Sequence, residues 1–242
     1  MISSTNTTTS SEAISPNAIS GCVLAFSGGR DSTIAALRLA RTFPVLKLVT
    51  VSTSHLIGAE RVITRLIEIR NRLPVSTEWL HFTYTREVET GSELVQTCLP
   101  CQAVYAAAVL HTADQYGIDC VAFGYTDYQS AWAEQTPAGR AQLALALAKR
   151  GKSVKFPVAD LCDKEQAKRE LQENGMTDSA LEQTCLRQQR NDNSQSAILD
   201  AEIVRWGKTL DVLLSDNLAA VQLVRAVSLS EVKQGDVCFR II

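Results

Sequence analysis

No run of about eighteen uninterrupted apolar residues occurs in this 242-residue sequence, so it offers no candidate for a membrane-crossing helix. The opening MISSTNTTTSSEAISPNAIS has neither a basic n-region nor an apolar h-region and does not read as a secretory signal. A strong charge of either sign is also missing, since 24 basic and 26 acidic side chains give a formal charge of −2. Such a chain has no global field for a polyanion, and a nucleic-acid partner must meet a local basic patch. That counts against a dedicated RNA-binding module. No internal repeat is visible. The seven cysteines (Cys22, Cys98, Cys101, Cys120, Cys162, Cys185 and Cys238) do not make an even set. In a chain read as cytosolic, an odd count favours thiols, metal ligands or catalysis over a disulfide framework.

With 45% hydrophobic and 21% charged residues, the chain can form one large domain with an extension, burying roughly 70% of its unfolded surface. Residues 1–19 read as a disordered Ser/Thr-rich tail. Cys22–Phe26 predicts a short buried strand and Thr33–Arg41 a helix with apolar positions at helical spacing. Strands are expected at Leu46–Ser52, Ser76–Phe82, Asp119–Gly124 and Ser153–Val158. Helices are expected at Glu60–Arg72, Cys101–Tyr116, Ala138–Arg150 and Asp163–Asn174, the last opened by an Asp163/Gln166 capping pattern. Alternation of this kind implies parallel βαβ units, hence an α/β fold with a doubly wound parallel sheet over 20–190. Gln188–Ser196 reads as a polar linker, and 191–242 as a mainly helical extension whose final twenty residues are ambiguous between helix and closing strand.

The stretch AFSGGRDST, residues 25–33, is then a strand-to-helix turn. Two glycines there expose backbone N–H groups at the positive end of the helix dipole, which suits phosphate oxygens. A tight turn needing positive φ is the plain alternative. A Walker-type loop would require G-x-x-x-x-G-K-S/T, and no lysine follows these glycines. The hydrolase elbow G-x-S-x-G is approximated by Ala25-Phe26-Ser27-Gly28-Gly29, but that fold needs a late histidine and the last one here is His111.

Ser27-Gly28-Gly29-Arg30-Asp31-Ser32 resembles, residue for residue, the SGGxDS signature of the PP-loop (N-type) ATP pyrophosphatase superfamily, and the resemblance extends over most of residues 20–190. It implies an adenine nucleotide alpha hydrolase-like fold that binds ATP and Mg²⁺ and attaches AMP to a substrate oxygen, releasing pyrophosphate. Ser27, Gly28, Gly29 and Ser32 would hydrogen-bond phosphate oxygens, Asp31 would help hold Mg²⁺ and Arg30 would face the polyphosphate. Backbone near Val51 and Thr53 would read the adenine edge. His55 is given no role, as a surface or capping residue.

The sequence TCLPCQ sets Cys98 and Cys101 at the start of a helix, with Cys185 far downstream in EQTCLRQ. A C-x-x-C pair at a helix N-terminus suits a dithiol redox site, because the dipole lowers a thiol pKa. Structural zinc would need a fourth ligand from Cys162 or a histidine. Three thiolates suit a 4Fe–4S cluster with one open iron, able to bind hydrosulfide or a substrate sulfur. Three unconnected buried cysteines are the remaining reading, and Cys22, Cys120 and Cys238 read as small hydrophobes.

Taken with the turn, this arrangement resembles the cluster-dependent tRNA thiolation enzymes such as the two-thiocytidine synthetases. It is also similar to sulfur-inserting enzymes that act on a nicotinate-derived cofactor. The resemblance implies Cys98, Cys101 and Cys185 as ligands, a sulfur donor, and a tRNA or small-molecule acceptor whose adenylated oxygen is displaced by sulfur. The chain departs from the tRNA enzymes after its fourth strand, where Gly124-Tyr125-Thr126-Asp127-Tyr128 only approximates their His/Asp-rich turn. Asp127 is a candidate for Mg²⁺ or substrate, the alternative being an exposed turn aspartate. A zinc-containing ligase like 7-cyano-7-deazaguanine synthase is the runner-up, although its C-terminal group of cysteines is lacking. An ATP-binding protein without catalysis is a third reading.

Arg61, Arg65 and Arg72 fall near one helix face, and Arg140, Lys149, Arg150, Lys152 and Lys155 form a second basic group; both read as solvated faces with interspersed acids. Lys164 could reach pyrophosphate or simply start a helix. Oligomeric state carries no signal here, and a homodimer stays open.

Overall fold

The computed structural model describes residues 20–88, 98–187 and 196–233. The expected tail at 1–19, most of the linker at 188–196, and Cys238 lie outside the described residues. In chain order the elements are β1 (Gly21–Ala25), α1 (Arg30–Ala40), β2 (Val45–Ser52), β3 (Leu56–Ile57), α2 (Ala59–Ile69), β4 (Glu78–Tyr84) and α3 (Leu99–Tyr116). They continue as β5 (Cys120–Phe123), α4 (Pro137–Ala148), β6 (Ser153–Lys155), α5 (Lys164–Glu173), β7 (Thr184–Cys185), α6 (Ser196–Leu218) and β8 (Val221–Ser228).

Six strands form one sheet in the order β6-β5-β1-β2-β4-β8. All pairs are parallel except β4 with β8, which is antiparallel. The innermost strands β1 and β5 are continuously apolar because helices cover both faces: β1 reads GCVLA, with its first four residues buried, and β5 reads CVAF. One core gathers α1, α2 and α5 on one face, and the other gathers α3, α4 and α6 on the opposite face. Cys22 and Cys120 meet in register across β1 and β5, with their sulfurs 3.5 Å apart in the first of these cores. This is the doubly wound α/β fold the pattern implies.

The chain steps outward from β1 through β2 to β4, then returns to the other side of β1 for β5 and β6. The reversal leaves a crevice at the carboxyl ends of β1 and β5, where open α/β sheets bind ligands. The turn after β1 opens into it. Local signals set the helix ends. Asp163 caps α5 by accepting from Gln166 N, while Gln166 Oε1 accepts from Cys162 N. Gly117, at φ 62°, closes α3 in a left-handed conformation.

In the C-terminal part, α6 packs on α3 and α4, and β8 joins the sheet beside β4. The ambiguous stretch from Leu223 therefore contains strand, not helix, up to Ser228. Among the described residues no helix is long and apolar enough to cross a membrane.

Candidate functional site

The turn at residues 26–32 is tied to the sheet before it opens into the crevice. Phe26 N donates to Val49 O at 2.7 Å, and Phe26 O accepts from Thr50 Oγ1, which in turn accepts from Trp79 Nε1. Gly28 takes φ +83°, and a Cβ there would stand 2.8 Å from Leu181 O, so the position needs glycine on both counts. Ser27 Oγ lies 3.1 Å from Ser32 Oγ and accepts from Gly29 N. Helix α1 starts at Arg30, three residues earlier than its apolar periodicity predicts, and no side chain caps it. The N–H groups of Arg30, Asp31 and Ser32 have no acceptor among the described residues. The two hydroxyls and the open amides thus share one helix N-terminus, where the dipole favours an anion.

Gly124, at the end of β5, lets the second wall approach closely: a Cβ there would stand 2.9 Å from Ser32 N. The following turn reaches the Asp31 carboxylate, which accepts from Tyr128 OH at 2.7 Å and from Gln129 Nε2 at 2.5 Å. Burial pushes the Asp31 carboxyl up, and the Tyr128 hydrogen bond opposes that. Asp127 points elsewhere, pairing with Arg140 at 2.5 Å as a solvent-exposed turn aspartate. Arg30 donates to Asp178 O at 3.2 Å.

The backbone near Val51 and Thr53 is already engaged. Val51 O accepts from Tyr105 OH at 3.0 Å and from Gln183 Nε2 at 2.9 Å. Thr53 Oγ1 contacts the ring of His55, and His55 Nε2 lies 3.5 Å from Cys101 Sγ. His55 is buried, which lowers its pKa, so it is neither surface nor cap.

Cys98 and Cys101 sit at the N-terminus of α3, and Cys185 comes to the same neighbourhood on β7, paired antiparallel with Leu56 of β3. Burial is the largest influence on the two α3 thiols. It pushes Cys101 up to about 11, and the nearby charges of Cys185 and Glu134 add to the rise; Cys98 is raised by burial, then by Glu134, Cys101 and Cys185. A low-pKa dithiol is therefore not what this helix start provides. Among the described residues, no three His, Cys, Asp or Glu side chains stand in metal-holding geometry. The three cysteines are near enough for their charges to act on one another.

Several side chains at the site carry little sequence signal. Glu134 is 3% exposed, its Oε2 has no hydrogen-bond partner, and burial pushes its carboxyl up to about 7. Arg65, expected on a solvated face, is fully buried. It donates to the carbonyls of Thr177 and Ser179 and pairs with Glu68. Arg61 donates to Ala180 O and Thr184 Oγ1. These contacts fasten the segment from Thr177 to Arg187 across the crevice. The second basic group is only partly a solvated face: Lys149 is exposed and pairs with Asp211, whereas Lys152 is buried against Ile118 O and Asp114, and the Arg140 side chain is largely covered where it pairs with Asp127. A depression of about 550 Å³ lined by Leu37, Arg41, Arg72 and Glu173 lies at the C-terminal end of α1, away from the turn.

This geometry defines an α/β domain with an anion-accepting helix start at its topological switch point. Among solved structures, a 4-thiouridine synthetase in complex with RNA and with bound ATP shares the fold at a TM-score of 0.54 and 17% sequence identity, over 85% of this chain and 55% of that one. This chain thus spans little more than half the length of that protein. No protein-family model and no curated protein matches the sequence.

Proposed function

We propose that this chain is a PP-loop enzyme of the ATP pyrophosphatase type. It binds ATP and Mg²⁺ at residues 27–32, adenylates a carbonyl or amide oxygen of its acceptor, and then replaces that oxygen with sulfur. The observation that carries the reading is the α1 start: unpaired amides of Arg30, Asp31 and Ser32 and the hydroxyls of Ser27 and Ser32 converge at the switch point of the sheet. The kinship of fold with an ATP-bound thiouridine synthetase supports it.

In the first step the acceptor oxygen attacks the α-phosphorus, the bond between the α- and β-phosphates breaks, and pyrophosphate leaves. Ser27, Ser32 and the α1 amides would hold the leaving group by donating to its oxygens. Asp31 would hold Mg²⁺, a hard cation suited to carboxylate oxygen, with Tyr128 and Gln129 fixing the carboxylate's orientation. In the second step a hydrosulfide-class donor adds at the activated carbon, the C–O bond breaks, and AMP leaves, with no net oxidation. Cys98, Cys101 and Cys185 form the neighbourhood assigned to sulfur handling. An RNA base carbonyl or a small nucleobase-like molecule is the acceptor class.

The test is acceptor-dependent conversion of ATP to AMP and pyrophosphate, lost in Asp31→Ala at unchanged thermal stability. ATP binding without AMP release over a panel of RNA and nucleobase acceptors would reduce the chain to a nucleotide-binding protein. Anaerobic purification with iron, sulfide and zinc analysis reads the cysteines separately. Brown protein that loses its colour in Cys98→Ala supports a cluster, stoichiometric zinc supports the ligase-like alternative, and full activity in the triple cysteine variant removes the thiols from the chemistry.

A further inference from the structure

The segment 177–187 runs over the very groups that the nucleotide reading assigns to ATP. A Cβ on Gly29 would stand 2.9 Å from Glu182 Oε2 and 3.3 Å from Ser27 Oγ, so the Glu182 carboxylate lies against the glycine where α1 begins. The next residue, Gln183, donates to Val51 O at 2.9 Å and accepts from Ser52 Oγ at 2.6 Å, at the end of β2. Two residues later comes Cys185. We propose that Glu182 and Gln183 are an internal stand-in for the nucleotide, the carboxylate in the place of a phosphate and the carboxamide at the carbonyl that would read adenine. ATP would then enter by displacing residues 181–187, and so would shift Cys185 relative to Cys98 and Cys101. The inference rests on the ATP-binding reading above and adds to it a device that couples nucleotide entry to the thiols.

The segment is built unevenly, as a displaceable occupant should be. Its first part is clamped: Arg65 holds the carbonyls of Thr177 and Ser179, Arg30 that of Asp178, and Arg61 that of Ala180. Beyond Ala180 the hold skips one residue: Arg61 also donates to Thr184 Oγ1, Leu186 N to His55 O and Arg187 to Val88 O, but Glu182 is not met in the same way. Glu182 Oε2 is buried without a hydrogen-bond partner, although the open amides of α1 are close by. Leaving a buried acceptor unmet is unfavourable. A phosphate has more acceptor oxygens than a carboxylate and can meet the amides and hydroxyls that Glu182 leaves open. β7, which carries Cys185, is only two residues long and pairs solely with the two-residue β3.

An internal occupant lowers apparent affinity in proportion to the fraction of molecules it leaves competent. If it fills the site nine times in ten, its removal raises affinity about tenfold. The experiment is calorimetric titration of the full chain with Mg²⁺·ATP, Mg²⁺·pyrophosphate and adenosine, using wild type, Glu182→Ala, Glu182→Gln and Gln183→Ala of matched thermal stability. The expected pattern is specific. Both Glu182 variants bind ATP and pyrophosphate about tenfold more tightly, while Gln183→Ala gains affinity for ATP and adenosine but not for pyrophosphate. Iodoacetamide labelling of Cys185, read by mass spectrometry, changes several-fold when pyrophosphate is added. If wild type binds ATP and the Glu182 variants bind pyrophosphate no more tightly, or less tightly as loss of a Mg²⁺ ligand would give, the stand-in is overturned and the nucleotide reading survives. Labelling of Cys185 that ignores a bound ligand overturns the coupling to the thiols. If no form of the protein binds ATP or pyrophosphate, the nucleotide reading itself falls.

Discussion

Tyr128 and Asp31 are joined by a 2.7 Å hydrogen bond from the phenol to the carboxylate, linking the turn after β5 to the first turn of α1. This bond favours the ionised carboxylate, the form that would hold a cation, against burial that favours the neutral one. Removing the phenol raises the Asp31 pKa further. A hydrogen bond to a charged group contributes about 1.5–3 kcal/mol, so Tyr128→Phe moves the acid limb of Mg²⁺·ATP affinity upward by about one pH unit. Titrations between pH 5 and pH 8 check this, and an unmoved limb removes Asp31 ionisation from the binding step.

Glu134 sets a pH dependence of stability. Its folded pKa of about 7 lies above the ordinary 4.5. The folded chain therefore keeps a proton that the unfolded chain releases, and stability falls as pH rises through that window. Glu134→Gln is expected to exceed wild type by about 3 kcal/mol at pH 8, with the gap closing near pH 4. His81 works in the opposite sense: burial lowers its pKa to about 4, so its share is lost as pH falls from about 6.5. Urea melts of the Glu134 pair at matched pH isolate the carboxylate from this histidine.

Arg65 is a buried structural cation. Its guanidinium serves Glu68, the carbonyls of Thr177 and Ser179 and, at 3.4 Å, that of Gly28, and Arg65→Met leaves all four short of a donor. Removing one partner of a buried charged network costs about 3–5 kcal/mol. Lysine at this position recovers little, since one ammonium cannot reproduce the fork. Chemical denaturation of Arg65→Met and Arg65→Lys gives the comparison.

Gly124→Ala drives a methyl group to 2.9 Å from Ser32 N and forces β5 and α1 apart. Overpacking of this kind costs about 1–3 kcal/mol. The expected signature is a modest drop in Tm with a larger proportional loss of Mg²⁺·ATP affinity, because the displaced atoms are those of the turn proposed to hold the phosphates. Equal affinity in the variant would separate β5 from that turn.

Much of the sheet was legible because buried parallel strands read as apolar runs and their helices as 3.6-residue periods; β1, β2 and α3 fall within a few residues of expectation. The edge strand β8 was ambiguous for a physical reason. Leu223 and Val224 are adjacent and both exposed, so its pattern does not alternate as a half-buried strand should. At the site, the SGGRDS turn announced itself through residue types that do one job. The 177–187 segment did not, because it is held largely by backbone carbonyls, and carbonyls leave no mark in a sequence. Arg65 and Arg61 were misread for the same reason: the Glu68 partner of Arg65 at helical spacing fits a solvated face, while the partners that bury the pair are the main chain of Thr177, Ser179 and Ala180. His55 was overlooked because its burial depends on Thr53 and on Cys101, far along the chain.

The place of β8 bears on how the molecule is made. Glu78 in β4 finds its partner Ser228 only after a further 150 residues (228 − 78) have been made. A ribosome-bound chain that has finished β6 still presents the bare edge of β4, with Leu80 and Phe82 on that strand, and the face of α3 that α6 later covers. Long-range pairing of this kind is slow and exposes sticky surface while it waits. Fragments ending before residue 196 should therefore need chaperones or aggregate, even though they contain every residue of the turn at 27–32.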